Sequence, residues 1–178
     1  MKEQNIDIEF LISAFAYPFS LMNESFYLRK RDLKVIGVHI FDYELVDESN
    51  SEYDSGLTQR EERDIKEAII AKEKNYDSHI DIPRLTIEER FEIMTDFIES
   101  TSEFKEELRN NKKTLIESTE NYGIEFYKKG IKKGIEMEYL TKGIEDKDFN
   151  SKWSEFYRNR IKTIALEWLE NKKSSLHR

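Results

Sequence analysis

The stretch HIDIPRLTIEERFEIMTDFI, residues 79–98, holds a short strand and a capped helix joined at a proline. Ile80 and Ile82 share one face of the extended part, because side chains alternate along a strand. Pro83 ends that strand, since it cannot donate to a ladder and fixes its own φ. Thr86 and Glu89 then form an S/T-x-x-E capping box, each side chain satisfying an orphan amide of the new helix. Ile87, Phe91, Met94, Phe97 and Ile98 follow at the spacing of one apolar helix face. A strand and a helix meeting at a fixed corner exclude an all-helical chain and point to a mixed fold.

Before this stretch, Ile6, Phe10, Leu11, Ala14 and Phe15 have helical spacing and predict a first helix over residues 5–15, ending near Pro18. FYLRKRDLKVIGVHI, residues 26–40, contains two β-rich runs around Arg31-Asp32-Leu33 and predicts a hairpin. It has no Asn-Gly or Asp-Gly turn to set the register. A lone hairpin is marginal in water, so the strand near 80–82 is the natural third member. Ile65, Ala68, Ile69 and Ile70 form the apolar stripe of a charged helix from Gln59 to Lys74. Downstream, Phe104, Leu108, Leu115 and Ile116 predict a helix over 102–118. The glycines of KKGI at Lys128, KKGI at Lys132 and TKGI at Thr141 predict a helix end or break near 130–144. Trp153, Phe156, Tyr157, Ile161, Ile164, Ala165, Trp168 and Leu169 define the last helix, 151–170.

The expected fold is therefore α+β in a single domain over 1–178. A small antiparallel sheet, from a hairpin at about 25–41 plus a strand at 79–83, is packed by five to six helices, and the C-terminal half is helical. The composition agrees: two prolines and six glycines among 178 residues, with 37% charged, favour helices over a turn-rich β architecture. Cysteine is absent, which excludes disulfides, thiolate zinc sites and a cysteine nucleophile. No apolar run approaches a membrane span, and MKEQNIDIEF lacks the basic start of a secretory signal, so a cytoplasmic location is expected. The net charge of −8 is concentrated: nine acids stand against Arg60 and Arg63 between Asp42 and Asp64. Residues 42–58 read as an acidic, mobile loop.

The order of motifs resembles an uncharacterised bacterial protein family of the UPF series, number 0158. The matching residues are Tyr27-Leu28, Ile80 to Pro83, Ile93-Met94-Thr95-Asp96-Phe97-Ile98, Gly123-Ile124-Glu125-Phe126-Tyr127, and Trp153 to Leu169. The resemblance covers nearly the whole chain and implies a shared α+β fold and a bacterial cytosolic home. It carries no activity with it. Residues 128–149 read as an insertion relative to the family pattern.

Three residue sets invite a functional reading. Glu88, Glu92, Asp96 and Glu99 run at spacings of four, four and three along one helix face, and like charges at i, i+4 are mildly unfavourable. Glu88, Glu92 and Asp96 are therefore the candidates for a metal-assisted hydrolase or a small-ligand site, against the plainer reading of a solvated face that pairs with a basic helix. Lys128, Lys129, Lys132 and Lys133 near Tyr122, Phe126 and Tyr127 suggest weak nucleic-acid binding, which an acidic chain without a broad basic surface disfavours. The acidic segment, with Asp47, Glu48, Glu52 and Asp54, suggests docking to a basic protein partner.

His39, His79 and His177 stand isolated and form no metal motif, and neither a phosphate loop nor a nucleophile elbow occurs. No cofactor is expected. The aromatic stripe of 153–169 serves either the core or a homodimer interface. The favoured reading is a non-enzymatic interaction module with an acidic docking segment.

Overall fold

The computed structural model describes residues 6–17, 24–46, 55–130, 140, 143–144 and 147–176; within the helices, the side chains of 118–130, 147 and 173–175 are outside that description. The fold is α+β, with a three-stranded antiparallel sheet and a helical C-terminal half. Two compact units are present. One comprises Met1–Phe15, Met22–Pro83 and Trp168–Arg178, and the other Ala16–Leu21 and Arg84–Glu167.

The first unit contains the sheet. Strands β1 (Glu24–Arg29) and β2 (Lys34–His39) pair from Glu24↔His39 to Arg29↔Lys34. The register is set without a glycine turn. Arg29 reaches across the loop, its Nε and Nη2 donating to the two carboxylate oxygens of Asp32 at 2.8 and 2.7 Å. Leu33 supplies the left-handed residue, φ 53°. Strand β3 (His79–Asp81) pairs antiparallel with the other side of β1, Leu28 opposite Ile80, giving the order β2-β1-β3. The hairpin thus gains its expected third strand.

Alternation gives the sheet two faces. Tyr27, Ile36 and Val38 pack with Ile65, Ala68 and Ile69 of α2 (Gln59–Glu73). Phe26, on the opposite face, meets Phe10 of α1 (Ile8–Ala16) edge-on at 6.3 Å, and Phe15 meets Trp168 at 5.6 Å. The α2 stripe differs from expectation: Ile70 is exposed, while Asp64 and Ala71 are buried. At about 100° per residue, position 70 lies on the far side of the helix from Ala68, and the buried arc runs through 64, 65, 68 and 69. The acidic stretch does not begin as a loop, because Ile40–Leu45 forms a 3-10 helix. Its residues 47–54 lie outside the described residues.

In the second unit, α3 (Ile87–Ser100) starts at the expected capping box. Glu89 N donates to Thr86 Oγ1 at 3.2 Å, and Thr86 N to Glu89 Oε2 at 2.7 Å. Its buried face is Ile93, Met94, Phe97 and Ile98, with Arg90 buried beside them. The Arg90 guanidinium donates to the Leu85, Ala16 and Tyr17 carbonyls and to the Tyr157 hydroxyl. Helix α4 (Lys105–Gly130) buries Leu108 and Leu115 and runs on beyond residue 118, carrying Gly123 inside it. Phe104 precedes the helix with a left-handed backbone, φ 53°, and is 41% exposed, while its ring meets the buried Phe149 edge-on at 5.7 Å. The reading of 128–149 as an insertion falls mostly outside the described residues.

Helix α5 (Lys147–Leu176) buries Phe149, Trp153, Ile161 and Ala165, so Trp153, Ile161 and Ala165 of the expected stripe serve the core, while its other members are half-buried. Among the described residues, no helix is long and apolar enough to cross a membrane.

The Thr86–Glu89 box yields a first prediction. Thr86→Ala leaves a helix amide without its acceptor and is expected to lower stability by about 1 kcal/mol, read as a lower urea midpoint. An unchanged midpoint would show that the box contributes nothing to α3.

Candidate functional site

Arg29 ends β1 on the face covered by α2 and is 3% exposed. Its Nη1 lies 2.6 Å from Asp64 Oδ1 and 3.1 Å from Glu67 Oε2. Lys34 Nζ holds the other Asp64 oxygen at 2.5 Å, and Arg31 Nη2 binds Glu67 at 2.7 Å. Burial opposes ionisation of Asp64, but the hydrogen bonds from Lys34 and Arg29 outweigh it and bring its carboxyl down to about 2. The Arg29 fork likewise holds Asp32 below the usual carboxylate range. Each of these acids already has a cation, and none is set up as a base. The cluster joins α2 to the sheet and is structural.

His79, opposite Arg29 in the ladder, has Nδ1 3.0 Å from Ser78 Oγ, while Nε2 is buried without a protein partner. Burial pushes its pKa below the ordinary histidine value, so the ring is neutral near pH 7.

A groove of about 480 Å³ lies beside β2, its lining including Phe26 and Gly37 from one face of the sheet, Ile36 from the other, and the acids Glu24, Asp42 and Glu61. Gly37 has a local reason: a Cβ there would sit 3.2 Å from Phe26 Cε1, so the aromatic ring occupies the space a side chain would take. Beyond the strand, His39 caps the 3-10 helix. Its Nδ1 accepts from Phe41 N at 3.3 Å, and its own amide donates to Asp42 Oδ2 at 2.7 Å. This turn holds Ile40 at 56%, Phe41 at 62% and Tyr43 at 40% exposure, and Phe10 on the groove wall is 40% exposed. Single exposed apolar residues are ordinary, but several in one turn beside an open groove form a patch. Acids around an apolar floor suit a segment that carries both cations and apolar side chains.

The sites read from the sequence fare differently. Glu88, Glu92, Asp96 and Glu99 do share the outer side of α3 and are exposed. They do not converge with other ligands: Asp96 pairs with Arg160 at 3.2 Å, and Glu99 with Lys105 and Arg109 at 2.8 and 2.9 Å. Among the described residues, no group of three or more His, Asp or Glu side chains could hold a metal ion. The row faces away from the buried side of its helix, and its last two acids, Asp96 and Glu99, are answered by basic side chains of α4 and α5.

Asp47, Glu48, Glu52 and Asp54 lie outside the described residues, as do Lys132, Lys133, His177 and the side chains of Lys128 and Lys129. Sequence reasoning missed the Arg29–Asp64 network, although Asp64 stands in the buried arc of α2, one residue before Ile65, and could have signalled it. It also missed the groove, which depends on strand order.

Comparisons against protein-family models, curated proteins and solved structures return no match to this chain. The resemblance to the UPF 0158 family therefore rests on its motifs alone.

Proposed function

We propose that the protein is a non-enzymatic interaction module that docks a basic, partly apolar segment of a partner protein. The observation that carries this reading is the open groove along β2, bordered by Glu24, Asp42 and Glu61 and continued by the exposed Ile40, Phe41 and Tyr43. The network around Arg29 supports it by exclusion, since its acids and cations are spent on one another. Its setting is the cytoplasm, in keeping with a chain that has no cysteine. Aromatic anchors carry most of the energy at such surfaces, and the rim charges set steering and salt dependence.

The test is selection from a random peptide library displayed on phage, followed by affinity measurement on the enriched peptides. Enriched peptides are expected to be cationic with apolar residues interspersed. Phe41→Ala and Glu24→Lys should each weaken them by about tenfold, or about 1.4 kcal/mol. Both positions can be changed without touching the buried core. Enrichment of acidic peptides, or affinities indifferent to both substitutions, would remove the reading.

A further inference from the structure

We propose that the groove between α3 and α4 binds a small amphiphilic carboxylate, with its head on the Lys112 ammonium and its hydrocarbon body on Ile98 and Ile116. The site lies within the second unit and stands apart from the docking reading, which concerns the first.

Arg109, Lys112, Lys113 and Ile116 recur at the three-four spacing that puts residues on one side of a helix. That side of α4 meets Thr95, Ile98 and Glu99 of α3 across a groove of about 490 Å³, a volume within the range of small-molecule sites. Three cations and two acids line it, and the acids are already answered. Glu99 pairs with Lys105 and Arg109 at 2.8 and 2.9 Å, and Glu117 lies 3.7 Å from Lys113. Lys112 is the cation left over. It is half-buried, and among the described residues no carboxylate stands within ion-pair distance of it.

The Lys112 ammonium is nonetheless held in place. Its Nζ donates to Thr95 Oγ1, whose own hydrogen goes to the Phe91 carbonyl at 2.8 Å. Thr95 thus fixes the ammonium beside the groove without cancelling its charge. An ammonium has three donors, so two N–H groups remain for a ligand. A charge partly withdrawn from water calls for a counter-charge, and a carboxylate supplies one with charge-assisted hydrogen bonds.

The rest of the lining selects the class. A single cation in excess, with Glu99 and Glu117 at the rim, suits one negative charge and disfavours a polyphosphate. Ile98 and Ile116 offer apolar surface that a small inorganic anion would leave wet. A monocarboxylate with a hydrocarbon chain meets both demands.

The test is titration of the full chain with octanoate, followed by backbone amide NMR shifts. Two controls accompany it: octanamide, which keeps the chain without the charge, and acetate, which keeps the charge without the chain. Octanoate is expected to bind saturably with a Kd of about 1 mM or below. Its shifts should centre on residues 95–99 and 109–117. Octanamide and acetate should each bind more weakly by about tenfold or more. Lys112→Met keeps a side chain of similar length outside the buried core. It should weaken octanoate by about tenfold and leave octanamide unchanged.

Octanamide as tight as octanoate, or octanoate undiminished by Lys112→Met, would overturn the role of the ammonium and the proposal with it. Acetate as tight as octanoate would overturn the apolar wall. Absence of saturable octanoate binding, or shifts confined to other residues, would also overturn the site.

Discussion

Arg29→Met is expected to lower stability by about 3–5 kcal/mol at pH 7, because it strips one cation from a carboxylate that has little access to water. Asp64 is 4% exposed and would keep only Lys34. Asp32 and Glu67 suffer less, since their side chains are 40% and 31% exposed and can turn to solvent. The double variant Arg29→Met/Asp64→Leu should recover most of the loss, because a buried pair replaced on both sides by apolar groups is often close to neutral. Urea midpoints of the three proteins measure both effects. A double variant as unstable as the single one would show that packing, not the stranded charge, carries the cost.

The same cluster sets an acid limb. Asp64 has a folded pKa of about 2, below its ordinary aspartate value. A carboxyl depressed on folding contributes stability that is fully present above the unfolded pKa and is lost as pH falls through the folded one. For Asp64 that contribution is about 2 kcal/mol, lost between about pH 5 and pH 2. The gap between Arg29→Met and the unaltered protein should therefore narrow at pH 3. A gap that stays constant from pH 7 to pH 3 would contradict the assignment.

Phe97→Ala is the second large effect, expected to cost about 3–5 kcal/mol. Phe97 is 4% exposed, and its ring lies 5.4 Å from Phe149, 5.0 Å from Trp153 and 5.2 Å from Phe156, centroid to centroid. Truncation removes three aromatic contacts at once and leaves a cavity that helices α3 and α5 cannot close without moving. Trp153 reports it directly. In a Trp168→Phe background its emission should shift to the red as its packing loosens. A loss below about 1 kcal/mol with an unshifted emission would mean that the ring cluster is not the core of this unit.

Much of the fold is legible in local chemistry. The Thr86–Glu89 box, the Pro83 stop and the alternation of Ile80 with Asp81 act within a few residues, so the start of α3 and the place of β3 follow from the chain. The third strand itself follows from the weakness of a lone hairpin. Ile70 falls outside the buried arc because helical period gives the width of an apolar stripe but not its centre, which the neighbouring sheet sets.

The candidate site is the opposite case. Which strand lies at the edge, whether Lys34 turns to Asp64, and whether the acids of α3 meet a basic helix are all set by residues 6 to 64 positions apart in sequence. Arg29 and Asp64 are separated by 35 residues and read as unrelated charges until α2 is laid across the sheet. Local periodicity and capping acted within a turn or two and could be read directly. Strand order, charge pairing and the open groove arise from long-range packing, whose partners no short-range pattern names.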